Sequence, residues 1–149
     1  MGDYKQTLGP KRQGISKNIP WVVKRKGKVQ TMKTNIRLQN MFKLSSKITV
    51  YVPSTCDIDK PIDNSEWVDS CATLLSNCFG GATSCNALGY WTSPTAGLVK
   101  EKSIMVFAYC SDADLNNHIE TVLDFCEAMK NELLQDAIAI EINGDMYFI

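Results

Sequence analysis

Residues 79–101 read Phe79-Gly80-Gly81-Ala82-Thr83, pass through Gly89-Tyr90-Trp91 and close on Gly97-Leu98-Val99-Lys100-Glu101. Gly80-Gly81 follows a helical pattern and supplies the open or left-handed backbone on which a helix ends. Residues 82–91 have no helical period and finish in two aromatics, which predicts an extended, partly irregular strand. Thr92-Ser93-Pro94-Thr95-Ala96-Gly97 is a turn cluster punctuated by Pro and Gly. The chain then reverses into residues 98–109, so the segment predicts a hairpin with Trp91 near one end of its sheet face. Packing in the core or on the sheet is the expected role of Trp91, with stacking on a nucleic-acid base as the alternative.

On the N-terminal side of this hairpin, Ile48, Val50 and Val52 alternate with Thr49 and Tyr51, the pattern of a half-buried strand ending at Pro53. Asp63 with Glu66 forms a capping box before a helix whose Trp67, Cys71, Leu74, Leu75 and Cys78 fall on one face. On the C-terminal side, the apolar run 103–109 suits an inner strand, and Ser111 or Asp112 caps a second helix. Leu115, Ile119, Val122, Cys126, Met129 and Leu133 form the buried stripe of that helix, while its acidic residues sit largely off the stripe. Ile138, Ile140 and Ile142 alternate as a strand. Asn143-Gly144 is a two-residue hairpin signal, and residues 145–149 form a terminal strand. The order β-α-β-β-α-β plus one strand predicts an α+β fold of the ferredoxin-like split βαβ type, an antiparallel sheet with two helices on one face.

The charges divide sharply. Residues 1–48 hold twelve of the sixteen Lys and Arg and one acid, Asp3; residues 49–149 hold four bases and fifteen acids. The halves therefore carry +11 and −11, although the whole is neutral. We expect a basic, partly disordered arm over 1–46 and an acidic α+β domain over 47–149. Within the arm, Trp21-Val22-Val23-Lys24-Arg25-Lys26-Gly27-Lys28 and the residues to 32 suggest a basic β-hairpin over 20–32, and a short helix suits residues 33–46. Cations neutralise phosphates and an indole stacks on a base. Lys11, Arg12, Trp21, Lys24, Arg25, Lys26, Lys28, Lys33 and Arg37 are accordingly the candidate nucleic-acid contacts, with RNA favoured. The competing expectation is that the arm folds back on its own acidic body or binds a protein.

Other chemistry is sparsely signalled. The six cysteines contain no Cys-x-x-Cys pair and are expected to be reduced, four or five of them in the core. His118 is the sole histidine, which argues against zinc and against a Cys–His nucleophile pair. Asp57, Asp59 and Asp63 lie in a loop without the Gly and distal Glu of a calcium site. No cofactor and no metal are expected. No apolar run approaches the roughly 20 residues of a membrane span, and the polar, basic start lacks a signal-peptide core, so the expected compartment is the cytoplasm.

The strings Phe-Gly-Gly-Ala-Thr, Gly-Tyr-Trp and Gly-Leu-Val-Lys-Glu resemble a family of small uncharacterised proteins from plasmids and integrative elements of Gram-positive bacteria. The likeness covers roughly 47–149, to the tail Ala-Ile-Glu-Ile-Asn-Gly-Asp-Met-Tyr-Phe-Ile. It carries no catalytic residues. It implies a mobile-element accessory protein in a bacterial host that antagonises host defence. Joined to the charge division, it leads to the expectation of a non-enzymatic, anti-CRISPR-like inhibitor that grips nucleic acid or an RNA-guided nuclease complex through its arm. Two alternatives stand beside it. One is a metal-dependent nucleic-acid-processing enzyme using Asp57, Asp59, Glu66 and Glu101, with Lys100 steadying charge. The other is a regulatory module that forms homo-oligomers through its sheet.

Overall fold

A computed structural model describes residues 35–56 and 60–149. The expected hairpin over 20–32 lies outside them. The chain divides into two units, Met1–Met41 and Phe42–Ile149. Of the first, the described part is α1 (Ile36–Gln39), a short helix whose N-cap Asn35 accepts a hydrogen bond from the backbone N–H of Arg37.

The second unit runs β1 (Ser46–Pro53), β2 (Thr55–Cys56), β3 (Lys60–Pro61), α2 (Ser65–Phe79), β4 (Thr83–Ser93), β5 (Gly97–Cys110), α3 (Asp112–Glu132), β6 (Ala139–Ile142) and β7 (Asp145–Phe148). Five strands form one sheet in the order β4-β5-β1-β6-β7, and β2 pairs with β3 in a separate ribbon. Every pairing is antiparallel. Leaving out β7 and the ribbon, this is the split βαβ plan expected from the sequence, an α+β fold.

Strand register explains the core. Opposed residues in an antiparallel pair share a face. Ile48, Val50 and Val52 of β1 therefore align with Ala108, Val106 and Ile104 of β5, and Ile48 and Val50 align with Ile142 and Ile140 of β6. This face packs on Cys71 and Leu75 of α2 and on Leu115, Val122, Cys126 and Met129 of α3, all buried. Trp67 meets Phe125 edge-on at 5.3 Å between the helices. Both helices thus cover one face, and the residues of opposite parity form an uncovered face.

Helix ends depart from the sequence reading at one place. The N-cap of α2 is Asn64, whose side chain makes no capping bond; its amide donates instead to the Pro53 carbonyl (2.8 Å) and to Ser54 Oγ (3.0 Å), tying the helix start to the end of β1. Asp63 accepts from the Ser65 backbone N–H and hydroxyl, so the Asp63–Glu66 capping box does not form. Gly80 does end α2, at φ 88° with its N–H on the Ser76 carbonyl. Asn143 and Gly144, at φ 54° and 94°, make the tight β6–β7 turn.

Of the six cysteines, Cys71, Cys110 and Cys126 are buried, Cys56 and Cys78 are half-buried and Cys85 is exposed; all are free thiols. The core therefore takes three rather than four or five. Cys85 lies on β4, an edge strand exposed along nearly its whole length, where helical or strand periodicity says nothing about cover. Burial pushes the Cys71 and Cys126 thiols up to about 12, which makes them inert.

Two results follow from individual side chains. Thr49 is fully buried between Phe107 and Glu141, and its hydroxyl has no hydrogen-bond partner among the described residues. Removing a buried orphan hydroxyl in a side chain of the same shape is favourable. Thr49→Val is expected to stabilise the fold by about 1 kcal/mol, seen as a rise of roughly 3 °C in the thermal midpoint.

Asp112, at the start of α3, accepts from Ser46 Oγ (2.5 Å) and Ser45 Oγ (3.2 Å), and Asn143 Nδ2 donates to Ser46 Oγ (3.2 Å). The serine hydrogen bonds, aided by Lys43, hold the Asp112 carboxyl below its ordinary value of 3.8. A lowered value means that the folded state prefers the ionised form. Its stabilisation is present above the ordinary value and is lost as pH falls through the lowered one. In an acid titration followed by circular dichroism, Asp112→Asn should flatten that part of the stability loss.

Among the described residues no helix is long and apolar enough to cross a membrane.

Candidate functional site

The uncovered sheet face carries a cleft of about 820 Å³. Its floor comes from three neighbouring strands: Tyr51 and Pro53 of β1, Glu101 and Ser103 of β5, and Gly89 and Trp91 of β4. Register puts them together, because Tyr51 opposes Met105, Gly89 opposes Glu101 and Trp91 opposes Val99 on the same parity. One wall is the segment after α3, residues 134–138; Phe148 of β7 and the β2 ribbon complete the rim.

Local chemistry fixes these parts. Gln135 Nε2 donates to the Leu133 carbonyl (2.9 Å) and the Thr55 carbonyl (3.3 Å), pinning the wall to the ribbon. Leu134 adopts φ 52°, unusual for a branched residue and a sign of backbone held by its surroundings. Gly89 leaves a notch: a Cβ there would come no nearer than 3.6 Å to the Glu101 carbonyl.

The lining is aromatic and acidic. Trp91 is 44% exposed and Phe148 72% exposed, so their rings stand free to meet a flat ligand. Glu101 is half-buried and Asp136 lies on the wall. Tyr51 donates to Glu141 Oε2 at 3.4 Å, and burial together with that carboxylate raises the phenol above its ordinary value of 10.0, keeping it a donor at neutral pH. Among the described residues no Lys or Arg lines the cleft. Carboxylates and open aromatic faces in a lining that holds no Lys or Arg among the described residues fit a ligand that is cationic and carries an aromatic ring.

The sequence-expected sites fare differently. Lys11, Arg12, Trp21, Lys24, Arg25, Lys26, Lys28 and Lys33 lie outside the described residues, as do Asp57 and Asp59. Arg37 is exposed on α1. Trp91 is not a core residue: it shares the parity of Tyr51 and Glu101 and so stands on the sheet face that the helices leave uncovered, 44% exposed. Glu66 and Glu101 do not meet. Glu66 is in the first turn of α2, on the covered side, while Glu101 is on the uncovered face. Lys100 points away from Glu101, 5.9 Å over the Tyr90 ring. No group of three or more His, Cys, Asp or Glu side chains is placed to hold a metal among the described residues. His118 packs edge-on against Phe79 at 6.0 Å.

A smaller hollow of about 240 Å³ lies beside Phe79-Gly80-Gly81-Ala82-Thr83 and offers no carboxylate, amine or thiol. Sequence reasoning missed Tyr51, Gly89, Gln135, Asp136 and Phe148. The available signal was parity: once the helices claim Ile48, Val50 and Val52, the alternating Tyr51 must face the other side.

No family model matches the chain, and no curated protein matches it. Two solved structures do. One is a phage SAM lyase in complex with S-methyl-5'-thioadenosine, 15% identical, with 75% of this chain and 94% of that chain covered and a TM-score of 0.53. The other is phage SAM lyase in the apo state, 17% identical, with 73% and 94% covered and a TM-score of 0.51. At such identities the likeness is one of fold. It nevertheless corrects the expectation of a non-enzymatic, anti-CRISPR-like, nucleic-acid-binding inhibitor. The solved structures that share this architecture are those of an enzyme acting on a small molecule. Twelve of the sixteen Lys and Arg, the cations that motivated the inhibitor, lie in residues 1–48.

Proposed function

We propose that the folded unit is a small-molecule enzyme that cleaves SAM (S-adenosylmethionine) to release S-methyl-5'-thioadenosine. The observation that carries this reading is the cleft: carboxylates and open aromatic rings, with no cation lining it among the described residues, on a fold shared with phage SAM lyase. SAM joins an adenine ring to a positively charged sulfonium. The ring suits Trp91 or Phe148, and the sulfonium suits Glu101.

The bond that breaks joins sulfur to the carbon chain of the amino-acid portion. Its electron pair moves to sulfur, which becomes a neutral thioether. The electron deficit left on carbon is met within the same fragment, by loss of a proton from the adjacent carbon to solvent, which leaves an alkene, or by attack of its own carboxylate, which closes a lactone. No water, metal or oxidant is consumed. The protein's contribution is to hold the sulfonium against Glu101 and stack the adenine, while Tyr51, whose hydroxyl donates to Glu141, forms part of the floor.

The test is direct. Purified full-length protein is incubated with SAM, and adenine-containing products are separated by chromatography and weighed by mass spectrometry. Accumulation of S-methyl-5'-thioadenosine in proportion to enzyme, lost in Trp91→Ala, supports the proposal. Intact SAM after prolonged incubation with folded protein overturns it.

A further inference from the structure

We propose that the outer edge of β4 pairs antiparallel with β4 of a second copy of this chain, joining two five-stranded sheets into one. Strands β4 and β7 form the two sheet edges. Strand β7 is four residues long and carries Asp145, whereas β4 is eleven residues long and carries no charge. Natural edges are blunted by charge, proline, a bulge or shortness. None of these is present along β4: it pairs residue for residue with β5 from Thr83↔Phe107 to Ser93↔Gly97, and every residue except Ala87 and Ser93 is exposed.

Length and charge both select a second copy. An eleven-residue edge satisfies its outward N–H and C=O groups only with a strand about as long. Among the described strands β5 is of comparable length, and it is paired on both sides. A β7 edge would cover about a third of β4 and would leave a head-to-tail contact that need not close. Residues 49–149 carry four bases and fifteen acids, so these acidic bodies of two copies repel each other over most of their surface. The run from Ser70 to Val99 contains no charged residue and includes all of β4. It is the long surface strand on which two acidic bodies can approach.

Full-length self-pairing centres on Leu88, which is 45% exposed. Leu88 then faces its own copy across the two-fold axis. Cys85 faces Trp91 of the other copy, and Asn86 faces Tyr90. The axis stands perpendicular to the sheet, so the helices of both copies stay on one side and both clefts on the other.

Sedimentation of the full-length chain over a concentration series should give twice the 16.6 kDa mass of one chain. Leu88→Lys places like charges together at the axis and should raise the dissociation midpoint more than tenfold, with an unchanged circular dichroism spectrum. Asn86→Lys, at an exposed position nearby, should act the same way if Leu88→Lys impairs folding. In a Cys85→Ser background, Leu88→Cys should give a disulfide-linked dimer on mild oxidation, and Thr83→Cys should not. A wild-type monomer, a mass of three chains, a dimer untouched by both lysine variants or the absence of a Leu88→Cys crosslink would each overturn the proposal. Each outcome is independent of SAM cleavage.

Discussion

Glu101→Gln is expected to weaken SAM binding about 10- to 100-fold while leaving the affinity for S-methyl-5'-thioadenosine unchanged. The size follows from the roughly 1.5–3 kcal/mol that a charged contact contributes, at 1.4 kcal/mol per tenfold. The split follows from the chemistry. Sulfur carries a full positive charge in the substrate, part of it in the transition state and none in the product. A carboxylate beside it therefore stabilises the bound substrate more than the transition state. Losing it should raise KM markedly and raise kcat somewhat, because the bound substrate loses more than the transition state, and kcat/KM should fall by less than KM rises. Calorimetric titration of both ligands, set beside the kinetics, checks the pattern. Equal losses for SAM and for the neutral thioether would instead mean that Glu101 shapes the cleft rather than balancing charge.

Leu75→Ala should have the largest effect on the fold itself. Leu75 is fully buried on α2, within the cluster formed by β1, β5 and α3. Truncating such a side chain costs about 2–5 kcal/mol, through lost transfer energy and the cavity left behind. Domains of this size hold only about 5–15 kcal/mol in all. The thermal midpoint should fall by about 10 °C, measurable by calorimetry. Leu98→Ala, also on an apolar residue but one left 65% exposed, should change stability by less than about 0.5 kcal/mol. Comparable losses at both positions would show that the β4–β5 hairpin is covered in solution.

What the sequence makes legible is whatever one face repeats. The alternation of Ile48, Val50 and Val52, the helical stripe from Leu115 to Met129, the stop at Gly80 and the Asn143-Gly144 turn all announce burial or backbone geometry locally, and the fold follows from them. The cleft has no such local signature. Tyr51, Gly89, Glu101 and Gln135 come from four elements and meet only because β4, β5 and β1 lie side by side in a particular register. Glu101 is visible in the sequence only as one of four carboxylates offered to a metal. Its register partner is Gly89, and another of the four, Glu66, is on the far side of the sheet. Trp91 lies on the sheet face, one of the two places expected for it, and which face it takes is set by register rather than by anything local. The charge contrast between the halves of the chain is the most conspicuous sequence feature, and it says nothing about the cleft.

The central place of β1 has a kinetic consequence. Its two neighbours are supplied late: Ile48 meets Ala108 on one side and Ile142 on the other. On a ribosome this strand must wait for nearly a hundred further residues before both of its ladders can close. Meanwhile the β4–β5 hairpin and the two helices form from close neighbours in sequence. Such long-range closure slows folding and leaves an apolar strand open in the interval. The newly made chain is therefore most exposed to aggregation along Ile48, Val50 and Val52, the residues that become its best-buried ones.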